Sequence, residues 1–114
     1  MLSRKYRATR KDIEDAIKSG IMISGDFLYA KVSRINTEKP SFAIVISKKI
    51  EKTSVGRHHI KRIISAAIES NLPKMNSDFK KTVVFFPKKS EKPVSYDLIK
   101  KNVEEILKKI SFYG

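Results

Sequence analysis

Apolar positions recur along this 114-residue chain with two different periods, and each change of period marks an element. Ile13, Ala16 and Ile17 repeat at helical spacing. Thr9 stands where an N-cap belongs, Asp12 follows three residues on, and Gly20 closes the pattern. A short helix is predicted over 10–19. Ile21-Met22-Ile23 is a short apolar run, and Gly25-Asp26 then punctuates the chain. From Phe27 to Ile35 the period falls to two, with Phe27, Tyr29, Lys31 and Ser33 on one face and Leu28, Ala30, Val32 and Arg34 on the other. Asn36 to Pro40 reads as a turn and Ser41 to Ser47 as the next strand. That strand is apolar on both faces, which suits a central position, and a hairpin with the preceding strand is expected.

Beyond a basic loop at 48–52, Thr53 or Ser54 caps a second helix. Its stripe is Ile60, Ile63, Ile64, Ala67 and Ile68, and Pro73 ends it at about residue 71. Thr82 to Phe86 is a short β-rich strand closed by Pro87-Lys88-Lys89. Ser95 caps a last helix, with Leu98, Ile99, Val103, Ile106, Leu107 and Ile110 on its apolar face. The order α-β-β-β-α-β-α predicts an α+β fold, one sheet with helices packed on it. The length suits a single domain over 1–114, with residues 1–9 as a basic N-terminal arm.

Composition changes this picture through charge. Lys plus Arg number 25 against 12 Asp plus Glu, a net charge of +13. Self-repulsion on that scale destabilises a small compact domain, and a polyanionic partner is the simplest reason to keep it. Nucleic acid fits best. A membrane partner is not expected: no run approaches the ~18 apolar residues of a span, and no signal-peptide core follows the basic N-terminus. The absence of cysteine excludes disulfides and thiolate metal sites and suits a reducing, cytoplasmic setting.

The charge concentrates between residues 47 and 62, which hold six Lys or Arg and one Glu. The candidates for RNA contact are Ser47, Lys48, Lys49, Lys52, Arg57, His58, His59, Lys61, Arg62 and Ser65. On a helix His58, Lys61, Arg62 and Ser65 fall at i, i+3, i+4 and i+7, sharing a face opposite the isoleucine stripe. Arg57 falls in the first turn, where backbone N–H groups favour anions. Arginine matches two phosphate oxygens with a planar fork, and lysine adds a mobile point charge. Positions 57, 58, 65 and 66 carry no acid, so no local ion pair neutralises Lys61 or Arg62. Each phosphate neutralised contributes a log–log salt slope of about −0.7 to −0.9.

A strand running into Ser47-Lys48-Lys49-Ile50, a short loop, then Arg57 with Lys61-Arg62 on a helix resembles the bacterial ribonuclease P protein component. The likeness extends over nearly the whole chain, through Lys18-Ser19-Gly20, Phe27-Leu28-Tyr29, Phe85-Phe86-Pro87 and the Ser95-Tyr96 opening of the last helix. The chain departs from the family pattern at His58 and His59, which stand for Asn and Arg, in a linker one residue longer, and at Gly56. The resemblance implies a four-stranded α-β sandwich with a left-handed βαβ crossover, of a kind also found in a ribosomal protein domain. It implies a protein subunit that binds ribonuclease P RNA and the 5′ leader of precursor tRNA, is monomeric in the holoenzyme, and assists Mg²⁺-dependent leader removal. The RNA subunit would hold most of the Mg²⁺ and perform the catalysis. By the same resemblance, the cleft between the first helix and the sheet would hold the leader, with Ile13, Ile17, Phe27, Tyr29 and Lys31 as candidates. Ile cannot stack on a base, and Tyr29 is the best stacking candidate.

Two other readings compete. One is a structural or ribosome-associated RNA-binding protein with no role in tRNA processing. The other is an autonomous nuclease, and the residue types speak against it. Adjacent His58 and His59 point about 100° apart on a helix, no third His exists, and no set of converging carboxylates is identifiable for a two-metal site. The histidines add an expectation of their own: RNA affinity tightens between pH ~7.5 and ~6 as imidazoles protonate.

Overall fold

The computed structural model describes residues 4–34, 36–89 and 95–110. Helix α1 spans Arg10–Ser19, α2 Ser54–Asn71 and α3 Tyr96–Lys109. The strands are β1 Ile21–Ser24, β2 Leu28–Val32, β3 Ser41–Ile44 and β4 Thr82–Pro87. Each helix starts where its cap predicts. Thr9 accepts from the N–H of Asp12, Thr53 from that of Gly56 and Ser95 from that of Leu98, each such cap contributing about 1 kcal/mol. Helix α2 gives way at Leu72 to a 3₁₀ turn containing Pro73, because proline has no N–H with which to continue the helical ladder.

The sheet runs β1-β2-β4-β3. Strands β1 and β4 both pair antiparallel with β2, whereas β3 runs parallel to β4. Two expectations fall here. No hairpin joins β2 to β3, and β3 is an edge strand while β4 is central. What made β3 read as central is its apolar run, of which only one face is packed into the core; on the other face Ala43 is half-buried and Val45, just beyond the strand, is exposed. Phe42 and Ile44 enter the core, and the N-terminal arm closes the edge. Arg7 bridges Phe42, and the Ala8 N–H donates to the Phe42 carbonyl at 2.9 Å. The arm from residue 4 to 8 is therefore tied down, with Tyr6 packed against the core. Strand β2 is shorter than the 27–35 expected, and Ile35 lies outside the described residues; β3 stops at Ile44 rather than Ser47.

One sheet face carries Leu28, Ala30, Val32, Phe42, Ile44, Val83 and Phe85. These form one core with Ile64, Ala67 and Ile68 of α2 and Ile99, Val103, Ile106 and Leu107 of α3. Leu98, assigned to that apolar face of α3, is instead exposed. Helix α1 lies on the opposite sheet face, where Ala16 and Val84 are fully buried. Lys31 and Arg34 hold its C-terminal end, donating to the carbonyls of Ile17 (3.2 Å) and Ser19 (2.7 Å), where cations are favoured. Asn102 of α3 fixes the start of β2. Its Oδ1 accepts from the N–H groups of Phe27 and Leu28 at 2.8 and 2.9 Å, and the turn glycine Gly25 packs so close that a Cβ there would collide with the amide.

Candidate nucleic-acid interface

The basic segment is built by the start of α2 and the loop before it. The Ser47 carbonyl accepts from Ile50 and Glu51, which turns the chain after β3. Glu51 then folds onto Thr53, accepting from its N–H at 3.2 Å and its hydroxyl at 3.1 Å. The Thr53 backbone N–H, then its hydroxyl, hold the Glu51 carboxyl below the ordinary carboxylate range, and Arg57 adds a smaller pull in the same direction. Gly56 explains itself here: a Cβ would sit 2.6 Å from Glu51 Cδ and 2.7 Å from Thr53 Oγ1. A larger residue would push apart the cap that starts the helix.

Arg57 is placed differently from the expectation. Its Nη1 donates to the carbonyls of Glu51 (3.0 Å) and Lys52 (2.9 Å), so it braces the loop from the helix. Its Nε and Nη2 remain to meet a phosphate. Ser47, Lys48, Lys49, Lys52, His58, His59, Lys61 and Arg62 are all exposed. The ion pairs among the described residues, Arg10–Glu14 and Glu104–Lys108, lie outside this segment. Among the described residues Lys61 and Arg62 are therefore not neutralised by an acid, as the sequence spacing predicts, whereas Arg57 feels the Glu51 carboxylate. Ser65 does not share their exposed face. It is 2% exposed and lines a groove with Lys61, because α2 is buried on more of its circumference than the isoleucine stripe alone covers.

The cleft residues divide. Tyr29 of β2 lies opposite Phe86 of β4, and their rings stack with centroids 4.8 Å apart and planes 8° from parallel. Both are half-buried on the sheet face that α1 occupies. Ile17 is exposed on α1 and Ile13 half-buried. Lys31 donates one ammonium N–H to the Ile17 carbonyl and so ties α1 to the sheet. Phe27 precedes β2, its N–H held by Asn102 and its carbonyl accepting from Lys88. Sequence reading missed Phe86 as a cleft residue. Its alternation with Phe85 was visible, but the β2–β4 pairing that sets it against Tyr29 was not.

Among the described residues no three His, Cys, Asp or Glu side chains converge as a metal site, so these residues offer Mg²⁺ no protein cage. No described helix is long and apolar enough to cross a membrane.

A cationic loop and helix, and an aromatic floor on the α1 side of the sheet, on a mixed four-stranded α+β scaffold, define a small protein with surfaces suited to a polyanion. The Ribonuclease P family model matches residues 2–111, and the chain belongs to that family of ribonuclease P protein components. Solved structures agree in fold. An RNase P protein mutant from Staphylococcus aureus, described as defective in mRNA degradation activity, superposes with a TM-score of 0.79 at 20% identity, over 95% of this chain and 90% of that one. The RNase P protein from Thermotoga maritima superposes with a TM-score of 0.77 at 16% identity, over 93% and 97%. No curated protein sequence matches this chain.

Proposed function

We propose that the chain, as one RNA-binding domain, binds the catalytic RNA of ribonuclease P and the 5′ leader of precursor tRNA, and assists removal of that leader. Family membership supports the subunit role. The observation that supports the division of labour is that the stacked Tyr29–Phe86 pair lies on the sheet face opposite the one on which α2 packs. Phosphates of a folded RNA suit Lys48, Lys49, Lys52, Lys61 and Arg62, since charge of this kind binds the backbone irrespective of sequence. Unstacked leader bases suit the aromatic floor, where stacking contributes about 1–3 kcal/mol per base.

Mg²⁺ held by the RNA subunit would supply the activated water. The protein's own residues screen phosphate repulsion between catalytic RNA and substrate, and orient the leader. Under this reading the protein works in the cytoplasm as a monomer within the holoenzyme.

The test is precursor-tRNA cleavage by a bacterial ribonuclease P RNA at low Mg²⁺, with and without this protein. Stimulation by the protein is the expected result. RNA binding without stimulation would favour a structural RNA-binding role, and cleavage by the protein alone would favour an autonomous nuclease.

A further inference from the structure

Glu51 is the one acid between residues 47 and 62, and it stands just before the helix that carries the cations. The first N–H groups of a helix have no helical partners, and they attract anions. In a capping box, Glu or Gln at the third helical position reaches back to the backbone N–H of the cap. The cap of α2 is Thr53, and its third helical residue is Gly56, which has no side chain to do this. The Thr53 N–H is met from the other direction. Glu51 Oε1 accepts from it at 3.2 Å and from the Thr53 hydroxyl at 3.1 Å. Gly56 leaves the room for this, since a Cβ there would lie 2.6 Å from Glu51 Cδ.

A carboxylate of the chain itself is thus seated against the first turn of α2. Its neighbours are engaged as well. Thr53 Oγ1 accepts from the Gly56 N–H at 3.0 Å, and Arg57 Nη1 donates to the Glu51 and Lys52 carbonyls. Further along the helix His58, Lys61 and Arg62 are exposed, and among the described residues Lys61 and Arg62 enter no ion pair.

We propose that Glu51 is a specificity-determining residue for RNA. It fills the anion position at the start of α2, keeps phosphates off the helix end, and confines their path to the flank of His58, Lys61 and Arg62. Some affinity is given up and one register is favoured, because a repulsive group penalises every other placement of the backbone. The inference rests on the RNA-binding reading and deepens it.

Glu51→Gln tests this, since the amide oxygen can still accept from Thr53 while the charge is gone. Affinity for a bacterial ribonuclease P RNA should rise about two- to fivefold, the effect of one charge at a helix end, and the log–log salt slope should steepen by up to about 0.9. Glu69→Gln makes the same change of net charge about 20 Å further along α2, beyond the Debye length, and should leave affinity unchanged. A loss or no change in Glu51→Gln would make the carboxylate a plain loop brace, and an equal gain in Glu69→Gln would reduce the effect to net charge. Either result overturns the proposal. Inorganic phosphate, followed by amide chemical shifts, supplies a test without RNA. Saturable shifts at Thr53 are expected in Glu51→Ala and not in the parent, and equal shifts in both would also overturn it. If the parent binds the RNA and Glu51→Gln gains nothing, this inference alone fails. If no variant binds the RNA, the RNA-binding reading fails, and the phosphate titration still decides whether Glu51 closes the helix end.

Discussion

The basic segment and the aromatic cleft are built in opposite ways. Residues 47–62 are contiguous, and their arrangement follows from a turn, a cap and a helical repeat within that window. The cleft floor joins Tyr29 to Phe86, 57 positions apart in sequence, through the β2–β4 pairing. Charge can be assembled locally because a helix face is set by its own periodicity. An aromatic platform on a sheet needs the right neighbour strand, which depends on the whole topology.

Reversing two charges should break the first region most severely. Lys61→Glu with Arg62→Glu removes two phosphate contacts and adds two repulsive groups. Affinity for ribonuclease P RNA should fall on the order of 100-fold, and the log–log salt slope should shrink by about 1.5. Filter binding across a salt series checks both. An unchanged slope would mean that these side chains do not meet phosphates.

The cleft is challenged by Tyr29→Ala. Loss of one stacking face should weaken binding of a leader-bearing precursor tRNA by the holoenzyme on the order of tenfold. Affinity for mature tRNA and for the catalytic RNA should hold. Equal losses with and without a leader would dissolve the distinction between the two regions.

Arg57→Ala sharpens the comparison within the basic segment itself. The bonds from Nη1 to the Glu51 and Lys52 carbonyls should contribute about 1 kcal/mol, a melting shift of about 4 °C. The salt slope should change less than in a Lys61→Ala variant. A full loss of one phosphate contact with no change in melting would make Arg57 a grip rather than a brace.

The smallest effect concerns pH. Glu51 is held below the ordinary carboxylate range by Thr53. Its contribution is therefore fully present above the unfolded value, and is lost as pH falls through the lower folded one. In acid, below pH ~4.3, loop order at 51–56 should decline in the parent and much less in Glu51→Gln. Amide exchange of Gly56 reads this directly.

Much of the local structure was legible beforehand. Thr9, Thr53 and Ser95 cap the three helices, and the α2 and α3 stripes enter the core at Ile64, Ile68, Val103 and Ile106. Strand β3 misled for a specific reason. Its apolar residues alternate between two different environments: Phe42 and Ile44 enter the core, whereas Ala43 is half-buried and Val45 exposed, and the outer edge is closed by the arm rather than by another strand. Ser65 misled similarly: its spacing matched Lys61, but the exposed arc of α2 is narrower than the helical repeat suggests.

The sequence by itself determined the charge, the element order, the caps and the cluster of cations on one helix, because these depend on residue type and on neighbours within a few positions. Only the tertiary structure decided which strands pair, and hence that Phe86 stacks on Tyr29, that Lys31 ties α1 to the sheet, that Arg57 turns back onto its own loop, and that Ser65 faces a groove. Strand pairing and side-chain exposure depend on contacts between distant segments, and no periodicity within a single segment encodes its partner.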